Sequence, residues 1–136
     1  MSSVQLCKRL ISSVGRIDAQ KMRRGRFDDA DWQRYTETVS LMSQAPFYID
    51  DTGNLSVNEL RSRARRLARK TGGLSLIVVD YLQLMRGSSK SSMENRATEI
   101  FEISRGLKGL AREMEVPIIA LSQLNRGVDA RATNVR

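Results

Sequence analysis

The stretch from Leu74 to Met85 reads LSLIVVDYLQLM and restricts the possible folds more than any other part of the chain. Within it, LIVV at 76–79 is a continuous Leu/Ile/Val run, which is typical of a parallel strand buried on both faces. Asp80 follows that run, and with Gln83 it keeps the stretch far below the roughly 20 apolar residues of a membrane span. We therefore predict a soluble protein with a buried strand that ends in a carboxylate.

Before this stretch, residues 1–45 are predicted to be a helical segment. Apolar residues recur at helical spacing up to Gly15, which ends a first helix, and again from Trp32 to Met42. The acidic residues that begin at Asp28 suit the N-terminus of the second helical block. The basic segment KMRRGR lies between the two blocks.

Residues 46–136 are predicted to form a βαβαβ portion of the chain. A short strand, FYID, is followed by a helix that Ser56 and Glu59 begin as a capping box. Next come the strand LSLIVVD, a long helix from about Asn95 to Glu115 and a third strand, IIALS. Alternation of this kind indicates right-handed crossovers and a parallel sheet flanked by helices.

The composition limits the chemistry and the partners of the chain. The net charge is +8 and the pI is about 10.4, which favours partners rich in phosphate. One cysteine and no histidine exclude an internal disulfide and leave no plausible zinc site. A reducing, cytoplasmic setting fits this composition best.

Polar residues follow two of the predicted strands, where ligands bind in parallel sheets. Asp80 ends one strand, and Ser122 and Gln123 end another. An apolar strand that ends in Asp is a pattern that holds Mg²⁺ beside nucleotide phosphates, because a hard cation prefers oxygen ligands. The pattern alone leaves two alternatives open. Asp80 could instead cap a helix or pair with an arginine, and Gln123 could be an ordinary polar residue leaving a strand.

Longer segments resemble a known family. They are VVDYLQLM at 78–85, ENRATEIFEISRGLKGLAREMEVPIIALSQLNR at 94–126 and RSRARRLAR at 61–69, together with KMRRGRFDDADW. Over nearly the whole chain, these segments resemble the motor domain of the bacterial replicative DNA helicase, the DnaB family. The resemblance implies a RecA-like P-loop NTPase core that uses ATP and Mg²⁺, forms a homohexamer around single-stranded DNA and unwinds duplex 5′ to 3′. It also implies primase and a helicase loader as partners.

The resemblance further assigns roles to individual residues. Asp80 matches the Walker B aspartate that acts on Mg²⁺, and Gln123 matches the residue that senses the γ-phosphate or the attacking water. Arg126 lies where the family has a contact with the DNA backbone. The polar loop from 86 to 96 resembles a segment that faces the central channel. Its basic residues are further DNA-binding candidates: Arg86, Lys90 and Arg96.

A nucleotide-binding motif is missing from these 136 residues. The pattern GxxxxGK[ST], whose amides and lysine bind phosphates, does not occur. The resemblance places that loop and the catalytic glutamate before Met1, and it places the arginine finger and the last DNA loop after Arg136. We therefore expect a truncated core without the P-loop strand and the C-terminal strands. Such a chain should not hydrolyse ATP by itself, and its uncovered sheet edge should associate with other chains.

Two other functions fit part of the sequence. The first is a basic, non-catalytic nucleic-acid-binding α/β module in which Asp80 is structural. The second is another RecA-like ATPase, such as a recombinase or a phage helicase–primase. The segments DYLQLM and SQLNR favour the replicative helicase. The arginines of 61–69 are expected to form a solvated helix face.

Overall fold

The computed structural model describes residues 2–87 and 96–123, without the side chains of 96 and 97. The chain divides into two compact units, Met1–Thr52 and Gly53–Arg136, and each is described by itself. The first unit is helical. The second unit contains helices and a small parallel sheet.

The first unit consists of α1 (Ser3–Val14), α2 (Ala19–Arg24) and α3 (Asp29–Gln44). The helices α1 and α3 confirm the predicted helical blocks, and both begin with a capping box in which Ser2 or Asp28 accepts a backbone hydrogen bond. The short helix α2 was not predicted. It lies within the basic stretch that includes KMRRGR and ends at a glycine with φ of 65°.

A buried carboxylate links α2 to α3. Asp31 is only 2% exposed, and it accepts hydrogen bonds from Lys21 Nζ at 2.6 Å and from the Arg34 guanidinium at 2.7 Å. The hydrogen bond from Lys21, followed by that from Arg34, lowers the pKa of Asp31 strongly against the opposing effect of burial. The buried charge is tolerated because a cation from each helix, Lys21 on α2 and Arg34 on α3, pairs with it.

The strand predicted at Phe47–Asp50 is absent, and this prediction is wrong. Residues 46–50 carry no strand, and none of the described residues pairs with them as a neighbouring strand. Instead, Phe47 N donates to Ala45 O at 2.8 Å in a local turn, and both Phe47 and Tyr48 are more than half exposed. Because a strand depends on hydrogen bonds to a neighbour, an apolar pattern does not form one by itself.

The second unit, where it is described, contains two helices, two short strands and one 3₁₀ turn. The strands pair in parallel, with Val78 opposite Ile119. This pairing confirms the parallel arrangement predicted for the two strands. In chain order the elements are α4 (Val57–Thr71), β1 (Ile77–Val79), the 3₁₀ turn (Leu82–Leu84), α5 (Arg96–Met114) and β2 (Ile118–Ala120).

The core of the second unit lies between α5 and the segment that follows β1. Ile103 and Leu107 on α5 are at most 4% exposed and pack with Leu82 and Met85. The other face of the sheet is open to solvent. Along the strands, residues at alternate positions share a face. On this open face, four apolar residues are about half exposed: Leu76, Val78, Ile119 and Leu121.

The helices of 2–87 and 96–123 are too short or too polar to cross a membrane.

Candidate functional site

Backbone hydrogen bonds bring the ends of β1 and β2 together. Leu121 N donates to Val79 O at 2.9 Å, and Leu82 N donates to Leu121 O at 2.8 Å. These bonds extend the pairing of the two strands past their last regular residues. The segments after both strands therefore lie side by side, as the sequence predicted for the carboxyl edge of a parallel sheet.

The two candidate catalytic residues line the same cleft. Asp80 and Gln123, with Tyr81, Leu121 and Ser122, surround an open volume of about 390 Å³. Both candidate residues are exposed to solvent. The peptide bond between Asp80 and Tyr81 is cis. The structure thus juxtaposes a carboxylate and an amide at neighbouring strand ends.

The donor atoms of the cleft suit a hard cation. Asp80, Ser122 and Gln123 line the cleft, and their side chains carry a carboxylate, a hydroxyl and an amide. In the described part of the chain, no group of three or more His, Cys, Asp or Glu residues could hold a metal. Mg²⁺ commonly uses only one or two protein carboxylates and takes its other ligands from water and substrate phosphates. A single carboxylate on an open cleft fits that mode of binding.

Gln83, which the sequence did not single out as functional, connects the two strand ends. Its side-chain Nε2 donates to Ser122 Oγ at 2.9 Å and to Gln123 O at 3.0 Å. Its Oε1 accepts from Gln123 N at 3.2 Å. The only sequence signal was the position of a polar residue in an apolar run. Its partners are 39 and 40 residues away along the chain, so that signal could not identify them.

The start of the loop predicted to contact DNA is held by the rest of the unit. Arg86 N donates to Leu55 O at 3.0 Å, and Gly87 N donates to Glu99 Oε1 at 2.8 Å. The Arg86 guanidinium lies 3.7 Å from Glu59 and its side chain is 65% exposed. Its charge is therefore accessible from solvent, although the backbone beneath it is fixed.

The other three candidate DNA contacts cannot be located in the same way. Lys90 and Arg126 lie outside the described residues. Arg96 is the first residue of α5, but its side chain is not described. The structure therefore positions Arg86 alone among the predicted DNA-binding side chains.

Comparison with known proteins identifies the family. The model of the DnaB-like helicase C terminal domain family matches residues 1–135. The chain belongs to this family. The resemblance drawn from DYLQLM and SQLNR is thereby confirmed.

Several relatives of the family are replicative DNA helicases named DnaB. The one from Pasteurella multocida is 52% identical over 134 residues, covering 97% of this chain. The one from Geobacillus stearothermophilus is 49% identical over 131 residues and covers 96% of this chain. In both cases the chain spans 28% of the relative's length, and it spans 15% of the relative from Nostoc sp..

Two solved structures share the fold. A DnaB-like replicative helicase, described with its interactions with primase, matches all of this chain and 33% of its own, at a TM-score of 0.86 and 36% identity. A second solved structure, that of an ATPase domain, matches 96% of this chain and 46% of its own, at a TM-score of 0.86 and 37% identity. These matches confirm the predicted RecA-like α/β fold class.

Proposed function

We propose that the chain is part of the ATP-driven motor of a replicative DNA helicase, which unwinds duplex DNA 5′ to 3′ as a homohexamer on single-stranded DNA. The observation that carries this proposal is the shared cleft of Asp80 and Gln123 at adjacent parallel strand ends. Membership of the DnaB-like family gives that pair a specific chemistry. Residues 1–136 then constitute part of one RecA-like ATPase domain.

In this proposal Asp80 helps to hold Mg²⁺, directly or through water. When bound, the metal neutralises negative charge on the phosphates of ATP. Asp80 would supply the charged oxygen, and its exposure leaves room for water and phosphate ligands. Gln123, on the facing strand end, would orient the γ-phosphate or the attacking water by hydrogen bonding. Both residues are therefore assigned to catalysis.

Basic residues of the chain would contact the DNA backbone. Arg86 is exposed at the fixed start of its loop, and we assign Lys90, Arg96 and Arg126 to the same role. Basic side chains on loops suit binding without sequence preference, because phosphate is common to all sequences. The short segment between Gln123 and Arg126 would connect nucleotide state with DNA contact.

The proposed partners and location follow from the family. One solved relative is described with its interactions with primase, and we assign primase and a helicase loader as partners of the protein that contains this chain. Work at a replication fork places the protein in the bacterial cytoplasm, at the nucleoid. Because the 136 residues contain no GxxxxGK[ST], we expect no ATP hydrolysis from them alone.

The substitution Asp80→Asn in the full-length protein tests the proposed function. It keeps the shape of the side chain and removes the charge that would hold Mg²⁺, so we expect DNA-stimulated ATP hydrolysis to fall by about a hundredfold or more. The measurement is steady-state phosphate release at saturating ATP. Because Asp80 is exposed and holds no core volume, the melting temperature should change little.

A matched control is Asp50→Asn, which removes an exposed carboxylate from the first unit. It should leave hydrolysis unchanged. If the Asp80→Asn protein hydrolyses ATP as fast as this control, Asp80 has no metal role and the non-catalytic nucleic-acid module becomes the better assignment.

A further inference from the structure

The amide of Gln83 satisfies both backbone polar groups of Gln123. Its Nε2 donates to Gln123 O at 3.0 Å, while its Oε1 accepts from Gln123 N at 3.2 Å. A third hydrogen bond, from Nε2 to Ser122 Oγ at 2.9 Å, fixes the preceding residue. One side chain therefore replaces the neighbouring backbone that a strand would normally provide, since a side-chain amide has the donor and the acceptor of a peptide group.

This contact begins where backbone pairing between the strand ends stops. The hydrogen bond from Leu82 N to Leu121 O precedes it, and Gln83 continues the pairing two residues further along, at Gln123. Gln83 itself lies on the 3₁₀ turn that follows β1 and starts two residues after Asp80. The place of Gln123 relative to Asp80 is thus set through a short, hydrogen-bonded path.

We infer that Gln83 is a positioning residue for ATP hydrolysis. It holds Gln123 in the cleft that Asp80 also lines. Among the described residues, those that line the cleft include Gln123 but not Gln83, so we assign Gln83 to act through Gln123. This inference rests on the proposed ATPase function. It explains why an amide occupies a half-buried place within an otherwise apolar turn.

Two substitutions in the full-length protein separate positioning from packing. Gln83→Met keeps the length of the side chain and removes its polar atoms, whereas Gln83→Glu keeps the acceptor and turns the donor into an oxygen that faces Gln123 O. Loss of two or three hydrogen bonds should lower kcat about ten- to hundredfold. The KM for ATP should stay within about threefold, because no group that binds the nucleotide is lost.

The matched control is Gln20→Glu, an exposed glutamine on α2 in the other unit. It should change neither constant. Unchanged kcat in both Gln83 variants, beside a loss in Asp80→Asn, would overturn the inference and leave the proposed function standing. Unchanged hydrolysis in Asp80→Asn would overturn both.

A second test asks whether Gln83 acts through Gln123. In a protein that carries Gln123→Ala, adding Gln83→Met should lower kcat no further, because the side chain to be positioned is gone. If the two losses multiply instead, Gln83 has a separate structural effect and the inference fails.

Hydrogen exchange gives a readout that does not depend on turnover. In the Gln83→Met protein, the amide of Gln123 should exchange about tenfold faster or more, because its acceptor is lost. The amide of Leu121, which donates to Val79 O, should keep its protection. Unchanged exchange at Gln123, or an equal loss at Leu121, would show that Gln83 does not fix this strand end specifically.

Discussion

At the scale of single residues, pairing decides where charge can lie. Asp31 is buried, and the hydrogen bond from Lys21 is the largest cause of its lowered pKa. Glu59 also has a lowered pKa, mainly because it accepts from the backbone of Ser56 at the start of α4. Asp80, in contrast, is exposed in the cleft. The carboxylates that stabilise the fold are thus occupied by protein donors, whereas Asp80 is open to a ligand.

The substitution Asp31→Asn should change how stability depends on pH. Because the pKa of Asp31 is lower in the folded state than its ordinary value of about 3.9, the unfolded chain binds more protons in acid. The stabilisation is complete above that ordinary pKa and is lost as the pH falls towards the folded-state pKa. We expect the free energy of unfolding to fall less steeply below about pH 4 in the variant.

Urea unfolding at a series of pH values measures this slope. The control is Asp29→Asn, which removes an exposed carboxylate from the same helical turn. Equal slopes in the Asp31→Asn and Asp29→Asn proteins would contradict the paired, buried state of Asp31.

At the scale of elements, two glycines of α5 form a natural comparison. A Cβ added at Gly106 would lie 3.0 and 3.2 Å from the methyl groups of Val57 on α4, whereas one at Gly109 would meet nothing within 4 Å. Gly109→Ala should stabilise the protein by about 0.5–1 kcal/mol, since alanine favours helix. In Gly106→Ala, the close contact of the new methyl group with Val57 should cancel this stabilisation. Chemical unfolding measures the free energy of unfolding of both variants. Equal stabilisation by Gly106→Ala and Gly109→Ala would show that Val57 and α4 adjust to the added methyl group without an energetic cost.

Elements with a local chemical signal could be predicted from the sequence. The capping box of Ser56 and Glu59 predicted the start of α4, and Gly72, with φ of 81°, ends the helix. Ile103, Leu107 and Leu110 recur at the spacing of one helix face, and all three are buried. Such signals act within one or two helical turns, so a short stretch of sequence contains them.

Features that depend on distant parts of the chain could be predicted only where a general rule of folding covers them. The prediction of a strand at residues 47–50 was wrong because the apolar pattern does not indicate whether a neighbouring strand is available for pairing. The convergence of Asp80 and Gln123 followed from the general rule for parallel strands, and the cleft bears it out. The contact of Gln83 with Gln123 depends on the register of two strands, which no local pattern encodes.

At the scale of the whole chain, one face of the small sheet exposes apolar side chains to solvent. Its open face exposes Val78 by 57% and Ile119 by 51%, and these two residues lie opposite each other in the strand register. Leu76 and Leu121 extend the same face. A contiguous apolar surface beside two short strands favours association, because burying it removes apolar area from water.

We expect the isolated 136-residue chain to self-associate through this face, in addition to the uncovered sheet edge expected from the sequence. Sedimentation should give a weight-average mass that rises with protein concentration, and Val78→Lys should weaken the association by about tenfold or more, because a buried ammonium group loses its hydration. The control is Val4→Lys on α1, where the native valine is 62% exposed and the added charge is the same. It should leave the association unchanged. A chain that stays monomeric at every concentration, or an equal effect of both lysines, would show that the open sheet face is not the contact.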